Sequence, residues 1–229
     1  MSAAVAEDYA AQRARLVEEI DAMYAATRAQ TGLARMSDAV RGALGRVERH
    51  RFVPESQRAR AYGNHPLPIG AGQTISQPYI VALSTDLVAP RPGHVVLEVG
   101  TGSGYQAAVL AEVVARVYTI ELIPDLGEAA AARLAALGYA NVEARIGDGY
   151  AGWPEKAPFD GIVVTAAAPH VPPALVEQLK PGGRMVIPLG AEGGHQELVV
   201  VTKRADGSLE RRSVLPVRFV PLVPGALRR

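Results

Sequence analysis

The chain of 229 residues contains no cysteine. That single absence removes disulfides, thiolate metal sites and a cysteine nucleophile together. Charge of one sign is also lacking. The formal net charge is +1, so no whole-chain field favours nucleic acid or an anionic membrane. The best cationic cluster, Arg58 and Arg60 with Arg51 nearby, is thin. No segment approaches the roughly 20 charge-free apolar residues of a membrane span. The first stretch is broken by Glu7, Asp8, Arg13, Arg15, Glu18, Glu19 and Asp21, which leaves no apolar core for a signal peptide. Internal repeats and low-complexity segments are missing too. The five histidines, His50, His65, His94, His170 and His195, are isolated from one another in the chain, so no metal cluster emerges. What remains is ordinary for a globular domain, 48% hydrophobic and 21% charged. The expectation is a soluble, cytoplasmic, single-domain protein.

Hydrophobic periodicity supplies the architecture. Residues 8 to 30 carry Leu16, Ile20, Met23, Tyr24 and Thr27 at helical steps. Ser37 and Asp38 start a second helix, and residues 50 to 75 read as loop with short extended pieces. "YIVALSTDLVAP" is helical up to Pro90. From His94 the chain alternates. "HVVLEV", "RVYTIEL", "NVEARIG", "FDGIVVTAA" and "GRMVIPLG" are strands whose near-continuous apolar character suits parallel strands covered on both faces. "QAAVLAEVV", "LGEAAAARLAALG" and "PPALVEQLK" are the helices between them, and "KPGGR" is a turn into the fifth strand. Two final extended runs flank "ADGS", a hairpin signal. The pattern predicts an α/β doubly wound sheet with an antiparallel edge.

The strongest local chemistry is "VVLEVGTGSGYQ". A strand runs directly into Gly100, Gly102 and Gly104, and a helix follows, which is the context that gives a glycine loop meaning. A dinucleotide fingerprint is Gly-x-Gly-x-x-Gly, with a pyrophosphate at the helix N-terminus. This loop is Gly-x-Gly-x-Gly, and Glu98 stands two residues ahead of it. An acidic side chain is unwelcome beside pyrophosphate but suits the ammonium of S-adenosylmethionine, directly or through water. Glu121 ends the second of these strands, where a carboxylate accepts ribose hydroxyls in either cofactor class. Asp148, in "GDGY", is placed to accept from an adenine amino group, with Gly149 leaving room for the ring. Together these favour a methyl donor over a dinucleotide.

Seven segments then resemble one family in order over about residues 40 to 223. They are "RFVPE", "YGNHPLPIGAGQTISQP", "VLEVGTGSGYQAAVLA", "YTIEL", "GYANV", "GDGYAGWPEKAPFDGIVVTAAAPHVPPALVEQLKPGGRMVIPLG" and "FVPL". The resemblance is to the protein-L-isoaspartate O-methyltransferases. It implies a Rossmann-like class I methyltransferase fold, with a seven-stranded, mostly parallel sheet, one antiparallel edge strand and added N-terminal helices. One domain is expected, residues 1–75 as a helical and loop extension and 76–229 as the core. The implied reaction moves a methyl group from S-adenosylmethionine to the free α-carboxylate of an L-isoaspartyl residue in a damaged protein. The ester re-forms a succinimide, S-adenosylhomocysteine is the product, and repeated cycles restore some aspartate.

A carboxylate is ionised at neutral pH, with an ordinary pKa near 4, so no general base is required, and none is apparent. The resemblance gives Ser76, in "TIS", the role of orienting the acceptor carboxylate. By local sequence Ser76 is also a helix cap before Pro78. The remaining candidates for cofactor contact are Gln73, Thr74, Ile75, Thr101, Ser103, Leu122 and Thr165. Tyr79 is either near the ligand or in the core, and Trp153 is expected to pack under the loop after the third strand. Gly63, Asn64 and Val223 depart from the family pattern in regions that shape the peptide cleft. A monomer acting on damaged proteins, without nucleic acid or membrane partners, is the expectation. The competing readings are a carboxyl methyltransferase for an Asp in one partner peptide, and a cofactor-binding module without turnover.

Overall fold

The computed structural model describes residues 3–191 and 193–225, with side chains from Tyr9 onward. The N-terminal part carries α1 (Ala3–Thr31) and α2 (Asp38–Arg46). The Ser37 hydroxyl caps α2 by accepting from the Val40 amide at 3.3 Å. The stretch read as loop holds two 3₁₀ turns, Arg49–Phe52 and Glu55–Arg60, and a small hairpin of β1 (Leu67–Gly70) and β2 (Gln73–Ile75). Next come α3 (Pro78–Leu87), β3 (Val95–Val99), α4 (Tyr105–Ala111), β4 (Arg116–Glu121), α5 (Pro124–Ala136) and β5 (Val142–Ile146). They are followed by β6 (Phe159–Val164), α6 (Pro173–Gln178), β7 (Leu179–Gly190), β8 (Gln196–Lys203) and β9 (Leu209–Val217).

The main sheet has seven strands in the order β5-β4-β3-β6-β7-β8-β9. Strands β3 to β7 are mutually parallel, and the closing hairpin makes the antiparallel edge. The reversed strand is β8, with β9 outside it. The sequence reversal between β3 and β6 creates a crevice at the carboxyl ends of the strands, the place where open α/β sheets bind ligands. Strand β7 begins at Leu179, ahead of the expected turn. Its pairing with β6 slips between Phe159 and Gly161, so the Lys180–Arg184 turn is absorbed as an irregularity.

Alternate strand residues feed two separate cores, as the pleat requires. Val96, Val117, Val163 and Val186 face α1 to α4, together with Ile20, Tyr24 and Phe52. Leu97, Ile120, Ile162 and Met185 face the other way, onto Trp153, Val171 and Leu175. Trp153 is buried against the Tyr118 ring, with the Arg145 guanidinium 4.5 Å from its centroid. Arg49 is wholly buried, with no carboxylate partner among the described residues. It donates to the Ala61 carbonyl at 2.9 Å and lies over the Tyr105 ring at 4.8 Å, which ties the N-terminal part to the first turn of α4. Among the described residues no helix is long and apolar enough to cross a membrane.

Candidate active site

The glycine loop connects β3 to α4, and its backbone is anchored on β4. The amides of Gly100 and Thr101 donate to the Ile120 carbonyl at 2.8 and 3.2 Å. Gly102 donates to Glu121 Oε2 at 2.7 Å, and the Ser103 carbonyl accepts from Arg133 at 2.8 Å. The three glycines serve different ends. A Cβ on Gly100 would strike Thr165 Oγ1, whose hydroxyl donates to the Gly100 carbonyl at 2.6 Å. A Cβ on Gly104 would press on Leu134 of α5. Gly102, at φ +53°, has only Ile69 near the position a Cβ would take, so this is where a ligand can approach the backbone.

Two carboxylates stand at the loop. Glu121 is already engaged, with Oε2 on Gly102 and Oε1 accepting from Ile123 N at 3.0 Å. Each oxygen keeps a lone pair for a hydroxyl donor. Glu98 is fully buried beneath the loop. Its Oε2 accepts from Thr119 at 2.5 Å, and Thr119 in turn meets Thr101 at 2.6 Å. Its Oε1 is buried with no hydrogen-bond partner of good geometry among the described residues. Burial pushes the Glu98 carboxyl up to about 8. The Thr119 hydrogen bond and the Ala107 amide oppose that rise, and the charge of Glu121 adds to it.

The sequence-chosen residues gather around two adjoining spaces. A cleft of about 130 Å³ is lined by Gln73, Thr74, Gly102, Glu121, Leu122 and Gly149. A small cavity of about 30 Å³, room for a single water, is lined by Ile75, Ser76, Glu98, Thr101 and Ser103. Gly100 and Thr165 border both. Two candidates stand apart from these linings. Gly104 packs against α5. Asp148 has both oxygens on backbone amides, Oδ1 on Tyr150 N at 2.8 Å and Oδ2 on Gly225 N at 2.9 Å. At Gly149 the space a Cβ would need is filled by Val99 rather than left open for a ring. Sequence reasoning missed the segment Val220–Val223, which lines one wall of the larger cleft. Its Leu222 N–H donates to the Ala167 carbonyl at 2.7 Å. The signal was present in "FVPL", which points only to a peptide cleft when read alone.

Beyond Thr74 and Thr165 opens a third, much larger cavity of about 640 Å³, between α1, the start of α3 and residues 215–220. Ser76 reaches both this cavity and the small one beside Glu98. The local expectation that Ser76 caps α3 is corrected. The N-cap residue is Gln77, which makes no side-chain cap bond, and the Tyr79 amide is satisfied instead by Asn64 Oδ1 at 3.0 Å. The Ser76 hydroxyl makes no hydrogen bond among the described residues and is half-buried. The Tyr79 ring is buried, the core setting of its two expectations, and it also lines the large cavity. Thr27 gives its one proton to the Met23 carbonyl at 2.8 Å, so the Tyr79 hydroxyl is the donor in their 2.6 Å contact. A Cβ on Gly63 would meet only the part-exposed His65 ring, which can turn aside, so the structure gives no steric reason for this departure. Among the described residues no group of three His, Cys, Asp or Glu could hold a metal ion.

A doubly wound sheet with its glycine loop after β3 and an acidic residue closing β4 is the Rossmann-like fold of class I methyltransferases. The match to one family model is broad: residues 22–226 fit the protein-L-isoaspartate(D-aspartate) O-methyltransferase model. The chain is 59% identical over 214 residues to Protein-L-isoaspartate O-methyltransferase 1 of Cupriavidus necator, covering 93% of this chain and 83% of that protein. A solved protein-L-isoaspartate O-methyltransferase superposes with a TM-score of 0.81 at 30% identity, over 93% of this chain and 66% of that one. A structure described as a putative enzyme of this kind from Plasmodium falciparum, in complex with S-adenosyl-L-homocysteine, gives 0.73 at 25% identity, over 91% of this chain and 97% of that one. The chain belongs to the protein-L-isoaspartate O-methyltransferase family.

Proposed function

We propose that this chain methylates the free α-carboxylate of L-isoaspartyl residues in damaged proteins, with S-adenosylmethionine as donor. The observation that carries the reading is the Ser76 hydroxyl. It has no hydrogen-bond partner among the described residues, it stands where the large cavity meets the cavity beneath the glycine loop, and it is the Ser of the family's "TIS" motif.

The residues fit the donor. The exposed approach at Gly102 suits a ligand lying on the loop. Glu98 Oε1, without a well-aligned partner among the described residues, is an acceptor for an ammonium, directly or through the one water that the cavity accommodates. Glu121 and Leu122 flank a ribose and adenine site walled by Gly149, Thr165 and residues 220–223, with Gln73, Thr74, Ile75, Thr101 and Ser103 closing the rim. Gly104 supports this cradle from behind. Asp148 acts from behind the cleft by holding Gly225, next to the 220–223 wall. The bound donor supplies an electrophilic methyl group on a sulfonium.

The chain's own work is alignment. The acceptor carboxylate enters from the large cavity already charged. Ser76 donates a hydrogen bond to one of its oxygens and leaves the other for an in-line displacement. Opposite charges cancel as the ester forms, so the dry setting made by Ile75 and the loop favours the transition state. No side chain needs to take a proton.

Purified chain incubated with labelled S-adenosylmethionine and matched isoaspartyl and aspartyl peptides tests the reading. Base-labile label on the isoaspartyl peptide alone is the expected result. Equal label on the aspartyl peptide overturns it in favour of a partner-specific carboxyl methyltransferase. Cofactor binding without label points to a module without turnover. The same reading takes residues 1–75 and 76–229 as one domain, supported by a core that Ile20 and Tyr24 share with Val96 and Val117. It also takes the enzyme as a cytoplasmic monomer without nucleic acid partners, supported by its near-neutral charge. Gel filtration checks the monomer.

A further inference from the structure

The large cavity is chemically uneven. Its lining includes Thr27, Gln30, Ser76, Gln77 and Tyr79, all neutral, and one charged group, Arg218. The Arg218 guanidinium is exposed and makes no hydrogen bond or ion pair among the described residues. Several other arginines are committed to carbonyls or carboxylates. Arg212, for example, donates to the Gln30 and Thr31 carbonyls at the end of α1, on the same rim.

The backbone that carries Arg218 is held firmly. Gln196 is buried on β8, and its side chain accepts from Phe219 N at 2.7 Å and donates to Phe219 O at 3.2 Å. Val217 and Phe219 pack against the core and also line the cavity, and Arg218 lies between them on the same wall. A guanidinium is charged at every working pH and matches a carboxylate in two-point geometry.

This cation is not suited to the reacting carboxylate. That group loses its charge on methylation, so a guanidinium bound to it would hold the ground state more tightly than the transition state. We propose that Arg218 binds a second carboxylate of the acceptor, an Asp or Glu side chain next to the isoaspartyl residue, and so makes this enzyme prefer damage sites with an acidic neighbour. The proposal rests on the isoaspartyl reading above. It makes Arg218 a specificity residue whose effect falls on KM.

The test compares three peptides that share one isoaspartyl residue and differ only in a flanking Asp, Asn or Lys. They are assayed with the wild-type chain, Arg218→Gln, Arg218→Lys and Arg184→Gln. The last makes the same charge change at the opposite end of the sheet. In the wild type KM is expected to rise about three- to tenfold from the Asp to the Lys peptide, the range of one partly screened ion pair, with kcat within about twofold. Arg218→Gln is expected to erase the difference by raising KM for the Asp peptide. Arg218→Lys keeps part of it, and Arg184→Gln keeps all of it. A wild-type KM that ignores the flank, or a preference that survives in Arg218→Gln, overturns the proposal while leaving the isoaspartyl reading intact. Failure of the wild type to label any of the three peptides overturns that reading itself.

Discussion

Strand β3 meets a carboxylate near each end, Asp160 of the neighbouring β6 at its start and its own Glu98 near its close, and the two are built to opposite standards. At the amino end Asp160 is complete. Its Oδ1 meets Lys180 Nζ at 2.7 Å, and its Oδ2 accepts from Val95 N at 2.8 Å. Burial pushes the Asp160 carboxyl up, but the Lys180 and Val95 hydrogen bonds and the lysine charge outweigh it and hold the group below its ordinary value. Three residues from Val95, Glu98 is fully buried with one oxygen lacking a well-aligned partner among the described residues and its carboxyl pushed up to about 8. One end spends its polar groups on holding the sheet together. The other leaves a buried acceptor and, nearby, the unpaired Ser76 hydroxyl, an arrangement that makes sense only if something else completes it.

The largest effect that would sharpen this contrast is on turnover. Ser76→Ala is expected to lower kcat about a hundredfold, the scale of lost alignment, with the cofactor dissociation constant within about twofold by calorimetry. Because Ser76 caps nothing, its melting temperature should stay within about a degree of wild type. A rate near wild type would remove Ser76 from the reaction.

Next comes Glu98→Gln, which tests the unfinished end through pH. A carboxyl that ionises at the ordinary 4.5 when unfolded and near 8 when folded keeps its proton longer in the native state. Its contribution to stability is therefore full below pH 4.5 and is lost as pH rises toward 8, at up to about 1.4 kcal/mol per pH unit. The amide cannot ionise, so the variant's stability should vary less between pH 5 and 8 and exceed wild type at the upper end. Cofactor affinity should fall about tenfold if Oε1 serves an ammonium. A wild-type denaturation profile flat across this range would contradict the environment described for Glu98.

Much of this was legible in the sequence. The strands from Val95 onward are apolar on both faces because helices cover both, and that produces the runs from which they were read. The loop from Gly100 to Gly104 announces itself because close approach and tight packing leave glycine little competition. What was hidden depends on pairs distant in the chain. Local sequence made Ser76 the cap of α3, yet the bond comes from Asn64 through a loop that no periodicity describes. Asp148 read as a free acceptor, but the Gly225 amide reaches it from 77 residues away. The depth of Glu98 and the orphaned Oε1 follow from how β4 and α4 close over it. Helix and strand patterns record which face is buried, and say nothing of which side chain will satisfy a given amide across the fold.

At the complete end, Asp160→Ala leaves Val95 N without its acceptor and frees Lys180. A loss of about 1–2 kcal/mol in denaturant unfolding is expected, with methyl transfer unchanged. The folded pKa lies below the ordinary 3.8. The wild-type advantage should therefore be present above pH 3.8 and disappear as pH falls through the lower folded value. A defect in turnover comparable to that of Ser76→Ala would mean the two ends of β3 are not separable in function.

The smallest expected effect separates structure from chemistry within the active-site end itself. Asn64 supplies the α3 cap, so Asn64→Ala should cost about 1 kcal/mol, the usual worth of such a cap. In a domain of this size that is about 2–4 °C in melting temperature. Its Nδ2 also lies 2.9 Å from Met23 Sδ, beside the large cavity, so a modest rise in peptide KM should accompany the loss. Asn64→Asp keeps the acceptor for the Tyr79 amide and should recover most of the stability. Ser76→Ala and Asn64→Ala are thus expected to give opposite signatures twelve residues apart, one losing rate and keeping stability, the other losing stability and keeping kcat. If Asn64→Ala melts like wild type while Ser76→Ala melts lower, the hydroxyl is the cap after all, and the unpaired group on which the proposed alignment depends is already in use.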